Sequence, residues 1–282
     1  MSASAPHGPL ASLVGAGHPL LDRLDADVGG LTIAYRRTGG DRPPAVLLHG
    51  LMGSGAGWAP VARLLEADLD VILPDARGHG RSTAPDSGYR YADLADDVIG
   101  LIQQLGLTRP VLVGHSMGGM TAALVATRIG HLLRGLVLVD PTFLSGERQR
   151  EVFESDVAEQ HHQAVRRGRS ALLRDALARP ARRPPALVEL QVEARLNTSL
   201  AAFDVLRPPN PPYRDVVRAL DVPTLLVIGD RPVVSRDLAT ELCELSPRLR
   251  LEQVDDAGHG LPFDQPEQLA QCILAFVRTL PT

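Results

Sequence analysis

Val111-Leu112-Val113-Gly114-His115-Ser116-Met117-Gly118-Gly119 is the stretch that decides the fold. An apolar, partly β-branched run reads as a buried strand, and Met117 to Ile129 behind it reads as a helix. A strand joined to a helix through G-x-S-x-G must turn so sharply that the serine takes a strained backbone conformation. Glycines two before and two after it remove side chains that would collide. Ser116 Oγ then stands clear of the sheet. The N–H of Met117, at the helix start, points where an oxyanion would develop.

The same alternation extends in both directions. Further apolar runs occur at Leu31 to Tyr35, Ala45 to Leu48, Val71 to Leu73, Leu136 to Val139, Thr224 to Ile228 and Leu249 to Val254. Helix-like stretches separate them at Trp58 to Ala67, Tyr91 to Leu105 and Gln265 to Leu280. This pattern predicts an α/β protein with a mostly parallel central sheet flanked by helices. The alternation stops after Asp140 and resumes near Asp221. Between them, amphipathic pieces such as Arg148 to Gly168 and Ser170 to Leu177 are broken by Pro180, Pro184, Pro185 and the Pro208-Pro209-Asn210-Pro211-Pro212 run. The expected organisation is an N-terminal tail over residues 1–30, a core over 31–140 and 221–282, and a helical insertion over 141–220.

Composition narrows the chemistry. The 282 residues are 44% hydrophobic and 22% charged with a net charge of −4, as in a globular protein able to bury a large core. No apolar run reaches the roughly 18 residues of a membrane span, and Met1 to Gly17 has no basic residue ahead of its apolar stretch. A cytoplasmic protein without a membrane partner is therefore expected. A slightly acidic chain without a basic block argues against nucleic acid. Cys243 and Cys272 are too few for a disulfide framework or a cysteine metal site, and read as buried thiols. All 29 basic residues are arginine, so lysine Schiff-base and lysine general-base chemistry are excluded. The adjacent His161-His162 would face two directions on a helix, so no metal site is expected there, and no cofactor.

At Gly114 to Gly119 the chain resembles the α/β-hydrolase fold superfamily, and further segments match in order and spacing from about Leu31 to Leu280. His49-Gly50-Leu51-Met52 looks like the family's oxyanion loop, which implies the N–H of Leu51 as second donor beside Met117. Pro74 to Ser82 looks like a structural turn, so the resemblance makes Asp75 and His79 structural. Asp256-Ala257-Gly258-His259-Gly260 looks like the loop that carries the catalytic histidine. A serine needs an imidazole to take its proton and return it to the leaving group, and His259 is that base. The side chain of His115 is expected to point away from the pocket.

The acid is out of its usual register. Family members most often carry it in a G-x-x-D arrangement, where this chain reads Gly229-Asp230-Arg231-Pro232. Asp230 serves if the loop is one residue shorter. Asp140, at the end of Leu136 to Val139, is the alternative and lies where haloalkane dehalogenases and zearalenone lactonases carry theirs. Asp140 is preferred, because Pro232 cannot bond the imidazole and Asp230 sits one register off.

The resemblance implies a cofactor-independent serine hydrolase of a carboxylic ester or lactone. A serine nucleophile disfavours dehalogenase and epoxide hydrolase chemistry, while carbon–carbon bond hydrolase, thioesterase and haloperoxidase-like activity stay open. So does a non-catalytic ligand-binding role, which the missing G-x-x-D alone favours. The insertion is expected to cap the pocket and offer Phe143, Leu144, Phe153, Leu187, Leu190, Leu196 and Phe203 as lining, its arginines and acids forming a solvated face. Trp58 lies near the oxyanion loop as core or lining. Aromatic residues are only 4% of the chain, so an aliphatic pocket for an apolar small-molecule ester or lactone is expected, in a monomer or homodimer.

Overall fold

A computed structural model of the chain describes residues 22–178 and 183–281. Its sheet has eight strands: β1 (Asp22–Val28), β2 (Leu31–Arg37), β3 (Pro44–Leu48), β4 (Asp70–Pro74), β5 (Val111–His115), β6 (Gly135–Val139), β7 (Thr224–Ile228) and β8 (Leu249–Gln253). They lie in the order β1-β2-β4-β3-β5-β6-β7-β8. β2 runs antiparallel to both β1 and β4, and every other neighbouring pair is parallel.

Strand side chains alternate between faces, so a strand buried on both sides feeds two cores. Val46, Leu48, Leu112, Leu136 and Leu138 enter one, against helices α2 (Tyr91–Gln104) and α3 (Met117–Ile129). Ala45, Leu47, Val111, Val113, Val137 and Val139 enter the other, against α1 (Ala59–Leu65) and the C-terminal helix (Pro266–Thr279). The continuous apolar runs of the sequence reflect this double burial.

Two expected boundaries shift. The tail predicted over 1–30 ends in a strand: Asp22–Val28 pairs along its whole length with Leu31–Arg37, and its alternate residues Ala26 and Val28 join the core. Residues 1–21, with the leader reading, and Pro180 lie outside the described residues. The helix expected over Trp58 to Ala67 is present as α1, Ala59–Leu65, entered through a 3-10 turn at Gly55–Trp58.

Between β6 and β7 the chain forms α4 (Gly146–Glu154), α5 (Val157–Leu177), α6 (Pro185–Leu196), a 3-10 segment (Leu200–Leu206) and α7 (Tyr213–Arg218). The helix expected through Arg148 to Gly168 is broken at Ser155, which takes an extended backbone. α5 kinks at Gly168, whose φ of 76° lies in the region that favours glycine. Ala164, Leu172 and Val192 form a small core of their own. Val205, Tyr213, Val216 and Val217 instead join the main core, so the part of the insertion with a separate core runs through α5 and α6. After β7 follow α8 (Arg236–Leu245), α9 (Leu261–Asp264) and α10 (Pro266–Thr279). No helix among the described residues is long and apolar enough to cross a membrane.

Candidate active site

Register builds the site. β5 and β6 pair in parallel with His115 opposite Val139, so the next residues, Ser116 and Asp140, emerge side by side at the strand ends. Both leave the strand with positive φ, 55° at Ser116 and 40° at Asp140, a conformation that side-chain-bearing residues rarely adopt. A Cβ at Gly114 would strike the Gly118 carbonyl, and one at Gly118 would strike the Leu48 carbonyl. The turn is therefore open only to glycine on either side of Ser116.

Ser116 Oγ lies 3.0 Å from His259 Nε2, and His259 Nδ1 lies 2.6 Å from Asp140 Oδ2. Asp140 is fully buried, at 0% exposure. Its carboxylate also accepts the N–H groups of Val233, 2.9 Å from either oxygen, and Val234 at 2.9 Å. A buried carboxylate needs its lone pairs filled, and here the loop after β7 fills them with backbone amides. Pro232, which displaces the usual acid, begins the turn that aims those amides.

Asp230 does different work. Its Oδ2 accepts the Asp256 N–H at 2.7 Å and its Oδ1 accepts Gln253 Nε2 at 3.4 Å, tying the loop after β7 to the loop that carries His259. It is exposed and is not brought to the imidazole.

The loop after β3, His49 to Gly53, is set by His49. Its Nε2 accepts the Ala76 N–H at 3.0 Å, so Nδ1 carries the proton and donates it to the Gly50 carbonyl at 2.8 Å. Burial pushes the His49 pKa down to about 4, keeping the ring neutral. Gly50 O also accepts the Gly53 N–H at 2.9 Å, closing a tight turn. In a trans peptide the carbonyl and the N–H point to opposite sides. Fixing Gly50 O from two directions thus turns the Leu51 N–H the other way. A Cβ on Gly50 would sit 3.0 Å from Ser116 Cβ, so this loop packs directly on the serine. Met117, first residue of α3, has no intrahelical acceptor for its own N–H.

His115 departs from expectation. Its ring turns toward His259, 5.0 Å away centroid to centroid, and Nε2 donates to the His259 carbonyl at 2.6 Å. Burial first, then the proximity of His259, lowers its pKa to about 4. It is a neutral prop for the backbone of the His259 loop. Its place beside the serine was the available sequence signal, and strand alternation alone obscured it because the ring lies at the strand end. Asp75 and His79 are held in the turn: Asp75 accepts the Gly55 and Arg81 N–H groups at 2.8 and 3.0 Å, and His79 Nδ1 bonds the Arg77 carbonyl at 3.0 Å. His161 is buried against Thr198 O while His162 is half-buried, and no group of metal-ligating residues occurs among the described residues.

A cavity of about 260 Å³ lies beside this line, walled by the loop His49 to Ser54 and by His115, while Ser116 and His259 themselves do not line it. Gly50, Leu51, Trp58 and His115 floor it. Trp58 is both core and lining, buried with one edge on the cavity and its ring edge-on to His115. Phe263, from α9, forms a side wall. Of the insertion residues expected to line a pocket, Leu190 does so here. Phe143 instead stacks on Tyr213 at 5.5 Å and Phe203 packs on His161 at 4.9 Å, each filling a core. Leu144 is half-buried on the approach to α4, its carbonyl accepting Gln149 Nε2, and Phe153 is exposed. The insertion's arginines are not all solvated: Arg183 and Arg195 face the cavity.

Known proteins resemble this chain in sequence and in fold. The model of the alpha/beta hydrolase family matches residues 45–272. The sn-1-specific diacylglycerol lipase ABHD11 of Mus musculus is 29% identical over 90% of this chain and 87% of its own. The 2-(acetamidomethylene)succinate hydrolase of Mesorhizobium japonicum is 27% identical over 95% of this chain and 99% of its own. The crystal structure of E-2-(acetamidomethylene)succinate hydrolase superposes with a TM-score of 0.79 at 25% identity, covering 92% of this chain and all of that one.

Proposed function

This chain belongs to the alpha/beta hydrolase family, and on that premise we propose that it is a serine hydrolase cleaving a carboxylic ester or lactone through an acyl-enzyme. The observation that carries the proposal is the unbroken line of hydrogen bonds from Ser116 Oγ through His259 to Asp140. Asp140 accepts the Nδ1 proton of His259, which leaves the Nε2 lone pair facing the serine hydroxyl. Ser116 Oγ attacks the carbonyl carbon as His259 takes its proton. The carbonyl π electrons move onto oxygen, and the N–H groups of Leu51 and Met117 bind that oxyanion. Each such donor is worth about 10²- to 10³-fold in rate. Collapse expels the alkoxide, which His259 protonates. Water, deprotonated by the same imidazole, then attacks the acyl-enzyme and frees Ser116.

A fully buried Asp140 suits this cycle, because its fixed charge balances each imidazolium that forms. Relatives matched over most of their length and named lipase and bifunctional esterase/perhydrolase support acyl transfer as the reaction class. The test is a panel of 4-nitrophenyl esters and γ- and δ-lactones. Turnover of at least one ester or lactone, abolished in Ser116→Ala, is expected. A well-folded protein inert to the whole panel would refute the reading.

A further inference from the structure

We propose that the cavity beside the His49 to Ser54 loop selects an acyl compound that carries a carboxylate, bound by Arg183, with Arg195 on the same cavity wall. The proposal rests on the serine hydrolase reading for what happens next to that compound, but the carboxylate site itself stands on separate residues.

Helix α6 sorts its charges by face. Leu190, Gln191, Ala194 and Arg195 recur at helical spacing and face the cavity, while Glu189 and Glu193 pair outward with Arg169. A cation is thus presented inward and two acids outward. Just before α6, Arg183 reaches the same cavity. Among the described residues, two guanidiniums and no carboxylate line it.

Arg183 is fixed in place before any ligand arrives. Its Nε and Nη2 donate to Asp264 Oδ1 at 3.0 and 2.7 Å, and its guanidinium lies over the Phe263 ring, 5.3 Å from the centroid. Asp264 Oδ2 in turn accepts the Gly258 N–H at 3.1 Å, one residue before His259. Both bonds to Asp264 leave from one edge of the fork and end on a single oxygen. Nη1 has no hydrogen-bond partner among the described residues, so the Nη1–Nη2 edge remains for a bidentate carboxylate. Arg195, whose Nη2 donates to the Gln160 carbonyl at 3.4 Å, adds a second positive charge. Asp264 holds one edge of the Arg183 fork, and a ligand carboxylate takes the other. Trp58, Leu190 and Phe263 supply apolar walls that keep this attraction from being screened.

The same polarity continues outward. A cleft of about 350 Å³ shares Ser54, Leu190 and Ala194 with the cavity and carries Arg23, Arg36 and Arg81 alongside Asp75 and Glu193. Arg23 and Arg36 are direct cross-strand partners, an arrangement that costs stability. Burial, and then Arg23, pull the Arg36 pKa down. Such a cluster beside the cavity raises the local concentration of anions near it.

The test compares mono-4-nitrophenyl glutarate with its methyl ester, which share the leaving group and chain but differ by one charge. In the intact protein the ratio of kcat/KM, acid over methyl ester, is expected to be tenfold or more at low salt. Arg183→Gln or Arg195→Gln should lower that ratio about tenfold, and Arg183→Lys should lower it less. Using a ratio cancels any general effect of loosening Asp264 and the His259 loop. Calorimetric titration of Ser116→Ala with monomethyl glutarate gives a readout without turnover: binding is expected, weakened about tenfold in Ser116→Ala/Arg183→Gln. A ratio near one in the intact protein, or one unchanged in the variants, overturns the carboxylate site while leaving the hydrolase reading intact. Arg183-dependent binding in a protein inert to both esters and to the whole ester and lactone panel sustains the site and overturns the hydrolase reading.

Discussion

Replacing Asp140 by asparagine probes the least conventional part of this site. The carboxylate receives donors from three directions: His259 Nδ1 at 2.6 Å, Val234 N at 2.9 Å and Val233 N at 2.9 Å to both oxygens. Asparagine has one accepting oxygen and an NH₂ that must face a donor. If the oxygen stays on the loop amides, the NH₂ meets His259 and forces its proton onto Nε2, where it cannot receive the proton of Ser116. The expected loss in kcat is about 10⁴-fold, the scale for a triad carboxylate changed to its amide. That corresponds to about 5.5 kcal/mol of barrier. Asp230→Asn is the matched control, since its exposed carboxylate holds only the Asp256 N–H and Gln253. It should stay within about threefold, as expected of a residue that leaves the imidazole untouched. The assay is steady-state hydrolysis of 4-nitrophenyl butyrate, with circular dichroism melts to establish that both variants fold. A thousandfold loss in Asp230→Asn beside near-normal Asp140→Asn would refute the assignment.

Other consequences follow from packing and protonation. Gly118→Ala drives a Cβ into the Leu48 and His49 carbonyls, backbone atoms that cannot yield, and should cost about 3 kcal/mol or roughly 10 °C in Tm. An unchanged thermal melt contradicts the tight turn. Burial holds His49 and His115 to about 4 and His79 to about 3, below the value of about 6.5 in an unfolded chain. Their contribution is whole above pH 6.5 and is lost as the pH falls toward 4. Each loses on the order of 2 kcal/mol at pH 5, and urea midpoints measured at pH 7 and pH 5 should differ markedly, whereas equal midpoints refute it. Arg77 donates to both oxygens of Asp97 at 2.5 Å and to the Gly88 carbonyl at 2.6 Å, so Arg77→Ala strands a mostly buried acid. Denaturant titration should show a loss of about 3 kcal/mol, and a change under about 0.5 kcal/mol, as at an ordinary surface position, counts against that pairing.

The parts of this structure legible in the sequence are those that one local rule enforces. Gly114-His115-Ser116-Met117-Gly118 specifies its own turn because two glycines are sterically obligatory there, and the doubly buried strands announce themselves as unbroken apolar runs. The acid was half legible. Pro232 and the register of Asp230 favour Asp140 from the sequence, but the parallel pairing of His115 with Val139 and the amides of Val233 and Val234, which hold Asp140 at the imidazole, are encoded by no local pattern. The strand Asp22–Val28 is hard to read from sequence because its polar alternation, Asp-Arg-Leu-Asp-Ala-Asp-Val, is that of a sheet edge. The insertion misled most. Phe143 and Phe203 have lining chemistry but stack on Tyr213 and His161, while Arg183 looks like solvent-facing surface and lies over Phe263 in the cavity. Which face of a short helix turns inward depends on partners far away in sequence.

Reaction of Ser116 with a fluorophosphonate bears most directly on the central claim. An alkyl fluorophosphonate should form one covalent adduct, located at Ser116 by peptide mass spectrometry, absent from Ser116→Ala and at least a hundredfold slower to form in His259→Ala. A well-folded protein that forms no adduct, or forms one on another residue, would contradict a nucleophile activated by His259 and Asp140.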